Sequence, residues 1–179
     1  MKKKIIVLII GAMLAASVGF AAPINDLAQG ETTVGANHYA LSPVTDDVSV
    51  YLEHGLSDKL LLGVEYNNNG DESDNSWNTT DIYAQYKLDP NIRLIVGDRN
   101  YDYGNQFNKF FYGVGFSTNI APKIDGYASV TSNNYTTEWQ VGVNYKLDDR
   151  AKVNLGYKSN KDDGYQTYSG LGFGIIYNF

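Results

Sequence analysis

The last thirteen residues, "TYSGLGFGIIYNF", alternate in character: Leu171, Phe173, Ile175, Tyr177 and Phe179 are large and apolar, whereas Gly170, Gly172, Gly174, Ile176 and Asn178 at the alternate positions are mostly small or polar. Successive side chains of a β-strand point to opposite faces, so this period of two is the strand period. An apolar face carried to the final residue needs a solvent that accepts it, and ordinary soluble termini are polar and loosely held. The segment therefore restricts the fold to one in which a sheet turns its apolar face toward something other than water.

The same rhythm recurs in "VSVYLEHGLSDKLLLGVEY", "DIYAQYKLDPNIRLIVGD", "FFYGVGFSTNIAPKIDGYASV" and "WQVGVNYKLDDRAKVNLGYKS", each an alternating strand, a short turn and a second alternating strand. The turns fall at Ser57-Asp58, Asp89-Pro90, Ala121-Pro122 and Asp148-Asp149, where Asp, Pro, Ser and their neighbours supply tight-turn chemistry. Between the hairpins lie longer polar connections such as "NNNGDESDNSWN" and "RNYDYGNQF". A strand from Glu31 to Leu41 and the terminal strand bring the expected count to about ten, with eight as the alternative. Each strand is about 9 to 12 residues, enough to cross a bilayer when tilted. Short turns at one end and long loops at the other are the asymmetry of transmembrane barrels. The expected fold is thus an all-β, ten-stranded antiparallel up-and-down transmembrane barrel.

The two faces of these strands separate lipid from lumen. On one lie Val48, Val50, Leu52, Leu60, Leu62, Val64, Ile82, Leu94, Val96, Val141, Val143 and Leu155, with Tyr66, Phe110, Tyr112, Trp139 and Tyr157 toward the loop rim and Tyr86, Phe116, Tyr145, Tyr177 and Phe179 toward the turn rim. Two aromatic girdles around an aliphatic band match a lipid-facing wall. On the other face, Glu53, Glu65, Gln85, Lys87, Arg93, Glu138, Gln140, Lys146, Lys152 and Lys158 are expected to line the lumen. A soluble barrel would reverse this pattern. "ETTVGANHY", in the first strand, fits either register.

The amino-terminal "MKKKIIVLIIGAMLAASVGFAA" has three lysines, an apolar stretch and small residues at Gly19 and Ala21. It reads as a signal peptide over residues 1–21, cut after Ala21, because its apolar core is too short for a membrane anchor. Residues 22–30 then form a short periplasmic lead to a barrel over 31–179. The chain has 14 basic and 20 acidic residues; without Lys2, Lys3 and Lys4 about 11 basic remain, a formal charge of about −9. Such a balance, with no basic patch, excludes nucleic acid as a partner. The absence of cysteine excludes disulfides and thiolate metal sites.

With its signal peptide, alternating strands, long loops and Tyr177 two residues before a terminal Phe179, the chain resembles the small bacterial outer-membrane β-barrel proteins from about Glu31 onward. The resemblance implies residence in the outer membrane, contact with its lipid, and insertion by the barrel-assembly machinery. It also implies that Leu171, Phe173, Ile175, Tyr177 and Phe179 form the assembly signal read by that machinery. It is specific for architecture and silent on activity.

Chemistry-bearing constellations are thin. His38 and His54 are the histidines, and neither belongs to a nucleophile-base pattern, although His38 could share a rim with Asp46, Asp47, Asp98 and Asp102. "NNNGDESDNS" lacks the spacing of a calcium loop. No catalytic, cofactor-binding or metal-ligating residue is therefore assigned, and no enzyme is expected. The lumen glycines, among them Gly63, Gly97, Gly142 and Gly172, could leave a narrow passage or make room for neighbouring side chains. The expectation is a monomeric, cofactor-free barrel acting as a narrow porin-like channel or a structural membrane barrel. A surface interaction protein working through its loops is the alternative, and a membrane-embedded hydrolase a more remote one.

Overall fold

The computed structural model describes residues 22–42, 45–71, 77–164 and 167–179; the expected signal peptide, 1–21, and residues 72–76 of the acidic connection lie outside the described residues. The strands are β1 (Thr32–Leu41), β2 (Thr45–Gly55), β3 (Leu60–Asp71), β4 (Trp77–Lys87), β5 (Ile92–Asp102), β6 (Gln106–Ala121), β7 (Ile124–Ser132), β8 (Thr136–Lys146), β9 (Ala151–Asp162) and β10 (Thr167–Asn178). Each pairs antiparallel with its sequence neighbour, and β1 pairs with β10, so the sheet is a closed ten-stranded barrel without an edge. Reciprocal backbone hydrogen bonds between Thr32 and Phe179, at 2.9 and 3.1 Å, complete the seam at the turn end. Closure leaves no strand at a sheet edge, a requirement for crossing hydrocarbon.

The tight turns follow one recipe. Asp89 Oδ1 accepts the N–H groups of Asn91 and Ile92, and Asp148 Oδ1 those of Arg150 and Ala151; Ser57 Oγ does the same for Lys59 and Leu60. A side-chain oxygen thus replaces the backbone partner that each turn removes. The N–H groups of Arg150 and Ala151 hold the exposed Asp148 carboxyl below its usual range. The turn between β6 and β7 instead uses Pro122 followed by Lys123 at φ 68°, the left-handed second position of a type II turn.

Outward side chains are the apolar ones. Ile82, Phe110, Leu155, Leu171, Phe173 and Ile175 are each more than half exposed, as is Phe179. This exposed apolar belt is the arrangement of a transmembrane barrel. Strand β1 takes the register with Thr33, Gly35, Asn37, Tyr39 and Leu41 inward. Gly35 pairs across the strand with the inward Tyr51 of β2, Asn37 with Ser49 and Tyr39 with Asp47.

At the loop end the strands run further than the sequence suggests. Asn67 to Asn69 belong to β3, Arg99 to Asp102 to β5, and the β5 to β6 connection is only residues 103–105. Beyond the belt the outward face no longer needs apolar residues, and the hydrogen-bond ladder continues without them.

Candidate functional site: the barrel interior

From the turn end the first occupant of the lumen is the chain itself. The sequence alone expects residues 22–30 as a lead outside the barrel; instead residues 22–27 fold back into it, with Ala22, Ile24, Asn25 and Leu27 all at most 2% exposed. The chain enters at Gly30, whose N–H donates to Gly55 O at 2.8 Å. Lys87 Nζ then donates to Leu27 O at 3.1 Å and pairs with Asp26 at 2.5 Å. Arg93 Nη1 donates to Asn25 O at 2.7 Å, and Asn25 Nδ2 donates to Glu53 Oε2 at 2.9 Å. At the inner end Gln140 Nε2 donates to Ala22 O at 2.8 Å. Ile24 and Leu27 pack with the inward-facing Leu61, Ile95 and Ile176 in one apolar cluster. The segment is therefore a fitted plug, held by charges at the mouth and by apolar contact within.

Around the inner end of the plug lies a layer of aromatic rings laid over glycines. Gly35 is the cross-strand partner of Tyr51, Gly63 of Tyr83, Gly97 of Phe111, Gly142 of Tyr127 and Gly172 of Tyr39. A Cβ at Gly97 would come within 2.5 Å of Phe111 Cζ, and one at Gly142 within 2.5 Å of the Tyr127 hydroxyl. The glycines make room for rings rather than for a passage.

The next layer toward the loop end is ionic. Arg99 donates from Nε and Nη2 to the two oxygens of Asp81, at 2.8 and 2.6 Å, and from Nη1 to Glu138 at 2.8 Å. Lys158 pairs with Asp47 and stands 4.0 Å from Glu138, with its ammonium over the Tyr39 ring. All five of these charged residues are buried. At the loop mouth Tyr101, 1% exposed, stacks on Phe107 at 4.9 Å and meets the edge of Tyr135 at 5.2 Å, while Trp77 stacks on Tyr103 at 5.9 Å.

Of the residues read as lumen-lining, Glu53, Glu65, Gln85, Arg93, Glu138, Gln140 and Lys158 lie buried in the interior. Lys87 sits at the turn-side mouth, and Lys146 is a rim residue paired with Asp125 at 3.1 Å. Lys152 is half-buried near the same rim. Asp47, Asp81 and Tyr39 join the interior without having been singled out for it. His38 points outward, 4.0 Å from an exposed Asp46, while Asp47 faces the lumen, so no rim constellation forms around His38. His54 shares a hydrogen bond with Thr32 at 2.8 Å. Among the described residues no group of three or more His, Cys, Asp and Glu side chains is placed to hold a metal ion. A concavity of about 640 Å³ between β6 and β10 is lined by outward residues such as Phe116, Val130, Val141, Leu155 and Leu171, on the lipid face rather than in the lumen.

No family model matches the chain, and no curated protein matches it in sequence. Solved barrels share its outline. The N-terminal barrel domain of Pseudomonas aeruginosa OprF is 14% identical over 86% of this chain and 100% of that one, with a TM-score of 0.47. The KdgM porin is 9% identical over 82% and 99%, with a TM-score of 0.49. The Neisserial surface protein A is 14% identical over 83% and 95%, with a TM-score of 0.40.

Proposed function

We propose that the protein is a monomeric bacterial outer-membrane barrel with a closed lumen, a structural membrane barrel rather than a standing pore. One observation carries this reading: residues 22–27 occupy the turn half of the lumen with no more than a few per cent of the surface of Ala22, Ile24, Asn25 or Leu27 exposed. Closed at the core, the barrel has its loop end as its accessible face, which favours an interaction role for the aromatic cluster of Trp77, Tyr103 and Tyr168 over solute passage. Permeation would require the plug to leave.

The chain lacks cysteine, so a single Leu61→Cys reports on the socket floor under Leu27. In vesicles a charged, membrane-impermeant thiol reagent should react at least about tenfold faster when residues 22–28 are deleted, since only local opening exposes the site otherwise. The intact chain should give no discrete conductance steps in planar bilayers. Steps from the intact chain would overturn the closed reading and restore the narrow channel.

The terminal strand keeps its proposed second role as an assembly signal, with Leu171, Phe173, Ile175 and Phe179 about two-thirds exposed on the outer wall and Tyr177 44% exposed. Deleting Phe179 removes the partial burial of one aromatic, at most about 1.5 to 3 kcal/mol, and the two backbone hydrogen bonds with Thr32, about 0.5 to 1.5 kcal/mol each, while the β1–β10 ladder from Thr33 to Tyr39 stays paired. Purified chain lacking it should therefore refold into lipid nearly normally, while cells accumulate unassembled protein in the periplasm. Normal outer-membrane levels would leave Phe179 as a girdle residue only.

A further inference from the structure

The interior charges do not balance. Asp47, Glu65, Asp81 and Glu138 lie in the loop half of the lumen, all at most 2% exposed, and Arg99 and Lys158 are the buried cations between them. Arg99 takes Asp81 and Glu138, and Lys158 takes Asp47 and approaches Glu138. Glu65 is left over. It is fully buried, and among the described residues neither of its carboxylate oxygens has a hydrogen-bond partner. A buried carboxylate without a partner is among the most costly groups a fold can hold.

Glu65 pairs across the sheet with Tyr51 on one side and Asp81 on the other, which fixes its height in the lumen. The plug reaches the first of these two partners. Asn25 Nδ2 lies 3.5 Å from the Tyr51 hydroxyl. From Asn25 the chain continues inward for three residues, a reach of at most about 10 Å. There Ala22, the first described residue, is 0% exposed and packs in the cluster that includes Tyr51, Tyr83 and Tyr127. Its carbonyl is held by Gln140, whose own Oε1 accepts from the Tyr39 hydroxyl beneath Lys158.

We infer that cleavage after Ala21 supplies the missing cation: the new α-ammonium group of Ala22 pairs inside the lumen with the Glu65 carboxylate. Signal removal then completes the charge balance of the lumen: an uncleaved chain carries a neutral amide at this point and leaves Glu65 without its cation. The inference rests on the closed-lumen reading and on Ala22 as the first mature residue.

The test uses the mature chain refolded in lipid vesicles, with the first residue of barrel purified from membranes established by mass spectrometry. Near neutral pH an acylating reagent selects α-amines over lysines because they are the weaker bases. Acylation of Ala22 should be at least about 100-fold slower in the folded barrel than in urea, and Glu65→Gln should return about tenfold or more of that rate. A two-residue Gly-Ser extension before Ala22 should lower the unfolding midpoint of the parent but not of the Glu65→Gln chain, because the two changes remove one interaction. Should Glu65→Gln fail to refold, the extension on the parent background still decides: an unchanged midpoint overturns the pair. Acylation at the unfolded rate overturns it, as does protection indifferent to Glu65→Gln, or a mature first residue other than Ala22. Conductance through a chain whose α-amine stays protected would sink the closed-lumen reading alone.

Discussion

Arg99→Leu should cost the barrel about 3 to 5 kcal/mol, the penalty for removing one partner from a buried ion network. Its guanidinium makes three hydrogen bonds, two to Asp81 and one to Glu138, and both carboxylates are buried. Loss of the cation strands Asp81 and leaves Glu138 to Lys158, which already holds Asp47. Arg99→Lys should recover only part of the loss, since a point charge cannot reproduce the fork that grips both oxygens of Asp81. Asp81→Asn combined with Arg99→Leu should be milder than Arg99→Leu alone, because one stranded charge is gone. Urea unfolding of the refolded chain in vesicles measures all three. A loss below about 1 kcal/mol for Arg99→Leu would mean that water reaches this layer and screens it, and the lumen would have to be described as wet and open.

How far the fold could be read from the residues depends on which solvent each face meets. Along Leu60 to Tyr66 or Val141 to Tyr145, the outward side must satisfy lipid and the inward side cannot, so the alternation is forced and the strands are legible. Past Tyr66 that constraint ends. Asn67, Asn68 and Asn69 carry no apolar signal, yet the ladder continues through them to Asp71. The polar stretch read as a loop is thus largely strand. The turns were legible because Asp89 and Asp148 perform a local task that no distant contact alters.

The plug was illegible for the opposite reason. "APINDLAQG" has no period, and its structure comes entirely from the cavity it fills. A sign of it did exist in the strands: Leu61, Ile95 and Ile176 break the polar inward face, and an apolar residue inside a lumen asks for an apolar cover. Ile24 and Leu27 provide it. The glycines were open to two readings because space for a ring and space for water look alike in a sequence. The register decides, since an aromatic stands directly opposite each of five inward glycines.

A charge placed on the outer wall should be tolerated or rejected according to depth alone. Leu62 lies on β3 two residues from Val64 and four from the rim residue Tyr66, and is 44% exposed on a face that stays apolar from Leu60 to Val64. Leu62→Arg should cost about 2 to 4 kcal/mol, as expected near the bilayer midplane, whereas Asn68→Arg, two residues beyond Tyr66 on the same strand and face, should cost about 0 to 1 kcal/mol. Asn68 already hydrogen-bonds Asn78 across the sheet at 2.7 Å, so that position is polar before any change. The lumen offers no safe third position. Gln140→Arg, which alternation alone would rate as mild, replaces the side chain that holds Ala22 O and accepts from two tyrosines, and should loosen the plug. Unfolding free energies in vesicles separate the two outer-wall variants. Equal costs for Leu62→Arg and Asn68→Arg would show that the apolar belt does not end at Tyr66, and the lipid boundary drawn through the aromatic rims would have to be moved toward the loops.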